Sequence, residues 1–410
     1  MKTSSEGHIG SSGPTTVLVN LCWLVPGVVG GSEEATTSAL RALLDAAPPD
    51  IDLRLAVLRP FLDAHPDLVS AVPCEVLDID GSNKIQRVGA EQLWLARLAK
   101  RLGVDVVHHA GGVVPLAHPG RVVLTIHDLQ PLDMPQNFSW GKRTYLRLML
   151  GRSARSADVV CVPSSFTGTR VIDLLGVAED RVVEVPWSLP ANRAEVTSTG
   201  APLSQASPGS PTSPGSPTSP NGPGRRYLLY PAIAYPHKRH LLLIEAFAAV
   251  AGSHADVDLI LTGAPGPLHE QVEARIRSLD LSDRVRRLGR VPADRLDDLY
   301  RGATAVVLPS AYEGFGMPAL EAMAMNCPVL ASDSGSLPEV VPQMSVVSGD
   351  DPASWASAIE AVLSLTMPQR AEWVRIGAET AATFTPERTA AALADAYRLA
   401  TRGQSPPKVS

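Results

Sequence analysis

Residues 303–324, ATAVVLPSAYEGFGMPALEAMA, run from an apolar stretch through a glycine-punctuated loop into an Ala/Met-rich helical pattern. The short run from Val306 to Leu308 is of the kind buried on both faces of a parallel sheet. Gly314 and Gly316 open the backbone, and Pro318 fits the first turn of a helix that starts near Met317. Strand, loop and helix in this order are half of a βαβ unit. In open sheets of this kind, ligands bind beyond the carboxyl ends of the strands, where a helix N-terminus offers unpaired N–H groups and the positive end of a dipole. Hydroxyls and phosphates are its natural guests. Glu313 stands in the loop and Glu321, eight residues later, about one turn into the helix. Taken alone, Glu321 would simply solvate that helix.

The same alternation extends in both directions. Upstream, TVLVNLC from Thr16, DLRLAVL, VDVVHHA, RVVLTIHD, ADVVCVPS and RVVEVPW predict strands, with helical patterns over Glu33–Leu44, Glu91–Leu102, Lys142–Ser153 and Ser165–Leu175 between them. Flanking the central stretch, RYLLYPAIA, VDLILTG, RVRRLG and PVLASD repeat the pattern, with helices starting near His240, Pro267 and Ala293. Between the two series, SQASPGSPTSPGSPTSPNGPG contains two copies of SPGSPT and no large apolar residue, so it cannot bury a core and reads as an interdomain tether. The 410 residues therefore divide into a first α/β domain over 1–187, a Ser/Pro/Gly-rich linker over 188–226 and a second α/β domain over 227–384. Residues 385–410 begin with Thr385 as N-cap and Pro386 at the first helical position, and the helix that follows is expected to cross back towards the first domain. The predicted architecture is two Rossmann-like, doubly wound parallel-sheet domains facing a cleft.

The tract PSAYEGFGMPALEAMA resembles the E-x7-E signature of the retaining GT-B glycosyltransferases of family 4, and the resemblance covers nearly the whole chain outside the proline tract. It implies that Glu313 faces a donor sugar, that backbone groups of Gly314, Phe315, Gly316 and Met317 hold its hydroxyls, and that Glu321 binds the nucleotide ribose. VLVNLCWLVPGVVGGSEEA resembles the family's first strand and glycine loop, in which Gly30 and Gly31 let the backbone approach the donor phosphates. VVLTIHDLQPLD resembles the segment that carries a histidine to the sugar, here His127 with Asp128 beside it. YPAIAYPHKRH resembles the pyrophosphate loop with Lys238 as the phosphate lysine, in a sub-branch with a P-H-K pattern similar to mannosyltransferases. It departs from the family at Ile233, where most members carry an arginine five residues before the lysine; Arg239 is the candidate second cation. LGRVPADRLDDLYRGA resembles the stretch where backbone near Val291 meets the nucleobase.

By this reading His127, Glu313 and Lys238 carry the chemistry: a hexose leaves a nucleoside diphosphate, with GDP-mannose the leading donor, and passes to a glycan, lipid-linked or small-molecule acceptor. Lysine, loop amides and the helix dipole stabilise the leaving group, so no metal or cofactor is expected. Asp50–Asp52 and Asp78–Asp80 form DxD strings, but neither has a nearby third ligand for a hard cation. A formal net charge of −6 argues against nucleic acid as a partner. Cys22, Cys74, Cys161 and Cys327 are scattered without metal-site or disulfide spacing, and no long uninterrupted apolar run predicts a spanning helix. Both suit a cytoplasmic protein. Residues 139–156, SWGKRTYLRLMLGRSARS, hold five basic residues and no acid beside Trp140, Tyr145 and several leucines, a pattern that suits either a surface helix packing its leucines inward or peripheral contact with an anionic membrane on its inner face. Alternative functions for such an architecture are a sugar-nucleotide epimerase, which lacks the EGFGMPALEA arrangement, and a non-catalytic nucleotide-sugar-binding partner, hinted at only by Ile233.

Overall fold

The computed structural model describes residues 13–138, 140–189 and 225–402, with the side chain of Lys142 excepted; Ser139 and the Ser/Pro/Gly tract lie outside the described residues. Seven strands form the first sheet: β1 Thr15–Asn20, β2 Ile51–Leu58, β3 Cys74–Leu77, β4 Val106–His109, β5 Arg121–Thr125, β6 Val159–Val162 and β7 Val182–Glu184. Six form the second: β8 Arg226–Pro231, β9 Val257–Thr262, β10 Val285–Gly289, β11 Ala305–Leu308, β12 Val329–Ser332 and β13 Val346–Val347. All pairings are parallel, in the orders β3-β2-β1-β4-β5-β6-β7 and β10-β9-β8-β11-β12-β13. The strand order reverses between β1 and β4 in one sheet and between β8 and β11 in the other, and a crevice opens at such a reversal.

The central strands β4, β6, β9, β11 and β12 are buried along their whole length, as strands covered by helices on both faces must be. Two edge strands, β3 and β13, do not stand out as apolar runs: three of the four residues of β3 are at least partly exposed, and β13 is only two residues long. The helical pattern over Glu91–Leu102 is a π-turn, Glu91–Leu95, continued by an α-helix over Ala96–Leu102.

The Pro386–Thr401 helix, capped by Thr385, lies on the first domain. Its Leu393, Ala396 and Tyr397 are buried in the core of β1, β2 and the Gly31–Ala46 helix. Tyr397 is hydrogen-bonded to Nδ1 of His108 on β4 at 2.9 Å, and Arg398 reaches Asp50 at 2.7 and 2.8 Å. Thus the end of the chain ties the second domain to the first.

Candidate active site

Because both sheets are parallel, the loops that leave β1, β4 and β5 emerge at one end of the first domain, and those that leave β8, β11 and β12 at one end of the second. These two ends face each other. His127 and Asp128 follow β5; Lys238 ends a 3-10 turn, Pro236–Lys238, after β8; Glu313 lies in the loop after β11. Nζ of Lys238 donates to Oε1 of Glu313 at 2.6 Å, with both side chains largely buried. The pair is held by its neighbours: Ala311 N–H donates to the His237 carbonyl at 2.7 Å, and Tyr230 Oη to the Lys238 carbonyl at 2.5 Å.

The second domain's loop presses directly on the first domain's histidine segment. A Cβ at Gly314 would lie 2.3 Å from the His127 carbonyl oxygen and 3.0 Å from Cβ of Asp128, so only glycine fits there. The Gly314 carbonyl accepts from Oγ of Ser164 at 2.8 Å and Oγ1 of Thr167 at 3.1 Å. Asp128 keeps solvent-accessible surface between the domains, yet its enclosure there raises its carboxyl above the usual carboxylate range, Glu313 adding to the rise and Lys238 opposing it. The imidazole of His127 lies between Trp23 and Trp187, with ring centroids 5.7 and 5.6 Å away. Its Nε2 meets the Ala110 carbonyl at 2.9 Å, and since a carbonyl only accepts, Nε2 carries the proton. Burial pushes the imidazole down to about 4, so it is neutral near pH 7 and Nδ1 keeps its lone pair. That nitrogen is buried without a protein partner.

The other expected residues group around this core. Gly30 and Gly31 begin the Gly31–Ala46 helix beyond β1. Val291 follows β10, and the preceding Arg290 donates to the Gly27 carbonyl at 2.9 Å across the cleft, joining the loop after β10 to the glycine loop. Phe315 turns its ring into the core against Trp187 and Phe384, and Gly316 leads into the helix at Met317. Glu321 accepts from Tyr300 Oη at 2.7 Å. Arg239 pairs with Asp350, its Nη2 lying 2.9 Å from Oδ2. Of the DxD acids, Asp50 meets Arg398, Asp78 meets Arg59 and Asp80 bonds Ser82.

The family described as Glycosyl transferases group 1 matches residues 217–380, and that described as Glycosyltransferase Family 4 matches residues 35–190. Each family model matches one of the two domains, and together the domains form the GT-B fold. Among curated relatives, the O-antigen chain mannosyltransferase B of Escherichia coli is 28% identical over 268 residues, covering 65% of this chain and 66% of the relative. The D-inositol 3-phosphate glycosyltransferase of Corynebacterium diphtheriae is 35% identical over 164 residues, 38% of each chain. The chain thus spans about two thirds or less of these relatives. Among solved structures, HepE of Anabaena in complex with UDP and glucose aligns with a TM-score of 0.68 at 18% identity, covering 93% of this chain and 98% of that one. A glycosyltransferase from Rickettsia africae aligns with a TM-score of 0.68 at 16% identity over 95% of this chain and all of the other. These likenesses concern the fold.

Several residues of the cleft between the domains carry no local sequence signal. Trp23, Ser164, Thr167 and Trp187 act on partners that are distant in the chain, and Tyr312 Oη accepts the Leu129 N–H at 3.0 Å from the opposite domain. On the outer side of the first domain, the Trp140–Ser156 helix buries Leu150 and Ala154 while Trp140 and Leu148 stay mostly exposed, 74% and 67%. Arg143, Arg147 and Arg155 line a groove of about 650 Å³ there with Leu148, Pro131 and Leu174. Among the described residues, no helix is long and apolar enough to cross a membrane.

Proposed function

We propose that this chain transfers a hexose, with mannose the first candidate, from a nucleoside-diphosphate donor to an acceptor hydroxyl with retention of configuration. The observation that carries this reading is the Lys238–Glu313 pair set against His127 and Asp128, where the strand ends of two Rossmann-like domains meet. Mannosyltransferase relatives on one side and a UDP- and glucose-bound structural neighbour on the other support a sugar nucleotide as donor.

The chemistry follows from charge. The bond between the anomeric carbon and the phosphate oxygen breaks, negative charge collects on the departing diphosphate and positive charge on the sugar. Lys238, the amides around Gly31 and the N-terminus of the Met317–Ala324 helix meet the diphosphate without a metal, each donor contributing about 2 to 4 kcal/mol. The acceptor oxygen attacks the face that the diphosphate leaves, and its proton passes to the departing phosphate oxygen. No side chain is needed as a nucleophile. Glu313, held by Lys238, is then exchanged between the lysine and the sugar hydroxyls, while Glu321 keeps Tyr300 and meets the ribose. The basic groove beside the Trp140–Ser156 helix supports an extension of this reading, peripheral contact with an anionic membrane that carries the acceptor.

The test is a mass-spectrometric screen of donor hydrolysis against GDP-mannose, UDP-glucose, UDP-GlcNAc and dTDP-sugars. One donor is expected to release its nucleoside diphosphate, with the release lost in Glu313→Ala and Lys238→Ala. Inversion at C2 or C4 without release would instead make the chain an epimerase, and nucleotide binding with neither product would make it a binding partner.

A further inference from the structure

The first turn of the Ser165–Leu175 helix touches the second domain at two places at once. Its cap residue Ser164 and Thr167 hold the Gly314 carbonyl. Its N–H groups at Ser165 and Phe166 donate to the two carboxylate oxygens of Glu339, at 2.9 and 2.7 Å. First-turn amides have no intrahelical acceptor, so Glu339 supplies from the other domain what a capping side chain ordinarily supplies from within. Phe166 also sets its ring against Tyr312 at 5.5 Å, the residue before Glu313.

Glu339 is also tied to the chemistry through its own segment. Ser336 donates from its N–H and its Oγ to the Glu313 carbonyl, at 3.2 and 3.0 Å. Gly335, at φ 65°, lies so close beneath that a Cβ there would be 2.7 Å from both the nitrogen and the oxygen of Glu313. Residues 335 to 339 therefore form one short lever: at one end it bears on the backbone of Glu313, and at the other it holds the opposite domain through the Glu339 carboxylate. Burial raises that carboxyl above its usual value, the two N–H bonds opposing the rise, so the group is held between the domains at a desolvation cost. The remaining charged groups nearby are Glu184, which accepts from Ser165 Oγ at 2.7 Å, and Arg388, which lies 3.8 Å from Glu184.

We propose that Glu339 is a positioning residue that couples domain closure to the orientation of Glu313 by capping the Ser165–Leu175 helix across the cleft. The proposal rests on the glycosyltransferase reading for its kinetic consequence, but its structural half stands apart from it. Hydrogen exchange on the full chain tests that half without any substrate. In Glu339→Ala, amides of the peptide containing Ser165 and Phe166 are expected to exchange at least tenfold faster, with the sheet strands unchanged. Glu339→Gln, which keeps one accepting oxygen, is expected to retain part of the protection. Unchanged exchange in both variants overturns the cap. With whichever donor the hydrolysis screen identifies, Glu339→Ala is expected to lose at least tenfold in kcat while donor KM stays within about twofold, because Glu339 is not among the groups proposed to hold the nucleotide, Lys238, Glu321, the Gly31 amides and the Met317–Ala324 helix. Faster exchange with unaltered kcat overturns the positioning role. If the wild-type chain turns over no donor, the functional reading fails while the exchange result still decides the cap.

Discussion

At the scale of single residues, this site is built around imidazoles that burial keeps neutral. His108 and His109 on β4 are each pushed down to about 3, and His127 and His240 to about 4, in every case mainly by desolvation. An exposed imidazole titrates near 6.5, so between about pH 6.5 and 4 the unfolded chain binds more protons than the folded one. The sign is fixed: this stabilisation is complete above about pH 6.5 and is lost as pH falls towards 4. Thermal melts from pH 7.5 down to 4.5 should show Tm falling steadily below about 6.5, and a Tm flat over that range would contradict the burial of these rings. Of these residues, His127 was legible in the sequence because it stands at a strand end, in a segment that resembles the histidine segment of the family 4 glycosyltransferases. His108 was not, because its meaning lies in Tyr397, 289 residues away.

At the scale of elements, the loop from Ser310 to Gly316 meets the other domain through bare backbone. Gly314→Ala places a methyl group where the His127 carbonyl already stands, and neither backbone can yield without widening the cleft. The expected result is a fall in turnover of at least tenfold with nucleotide binding by the second domain retained, read by steady-state kinetics beside calorimetry; normal turnover would mean that the domains need not approach this closely. The strand–loop–helix units were legible because parallel strands buried on both faces leave unbroken Val/Leu runs. The edge strands β3 and β13 were not, since Cys74–Leu77 and Val346–Val347 are too short and half-exposed to stand out. Likewise, Lys238 and Glu313 were each recognisable by motif, but that they pair with one another, and that Arg239 turns to Asp350, are properties of the folded loops.

At the scale of the whole molecule, one helix from the end of the chain completes the core of the first domain. Leu393 is 3% exposed there, and truncating such a side chain costs about 2 to 5 kcal/mol. Leu393→Ala should therefore lower the stability of the first domain, seen as an earlier denaturant transition for Trp23 and Trp94 fluorescence, while the second domain's transition keeps its midpoint. A single coincident shift of both transitions would show that the domains unfold as one body. This arrangement also has a consequence for how the protein is made. Ribosomes release the first domain's strands long before they release residues 386–401, so the Gly31–Ala46 helix must wait, with its apolar face uncovered, while the entire second domain is synthesised. The nascent chain is thus most vulnerable to aggregation and to chaperone capture in that interval, and the first domain's core is completed by the docking of the Pro386–Thr401 helix rather than by the growth of its sheet.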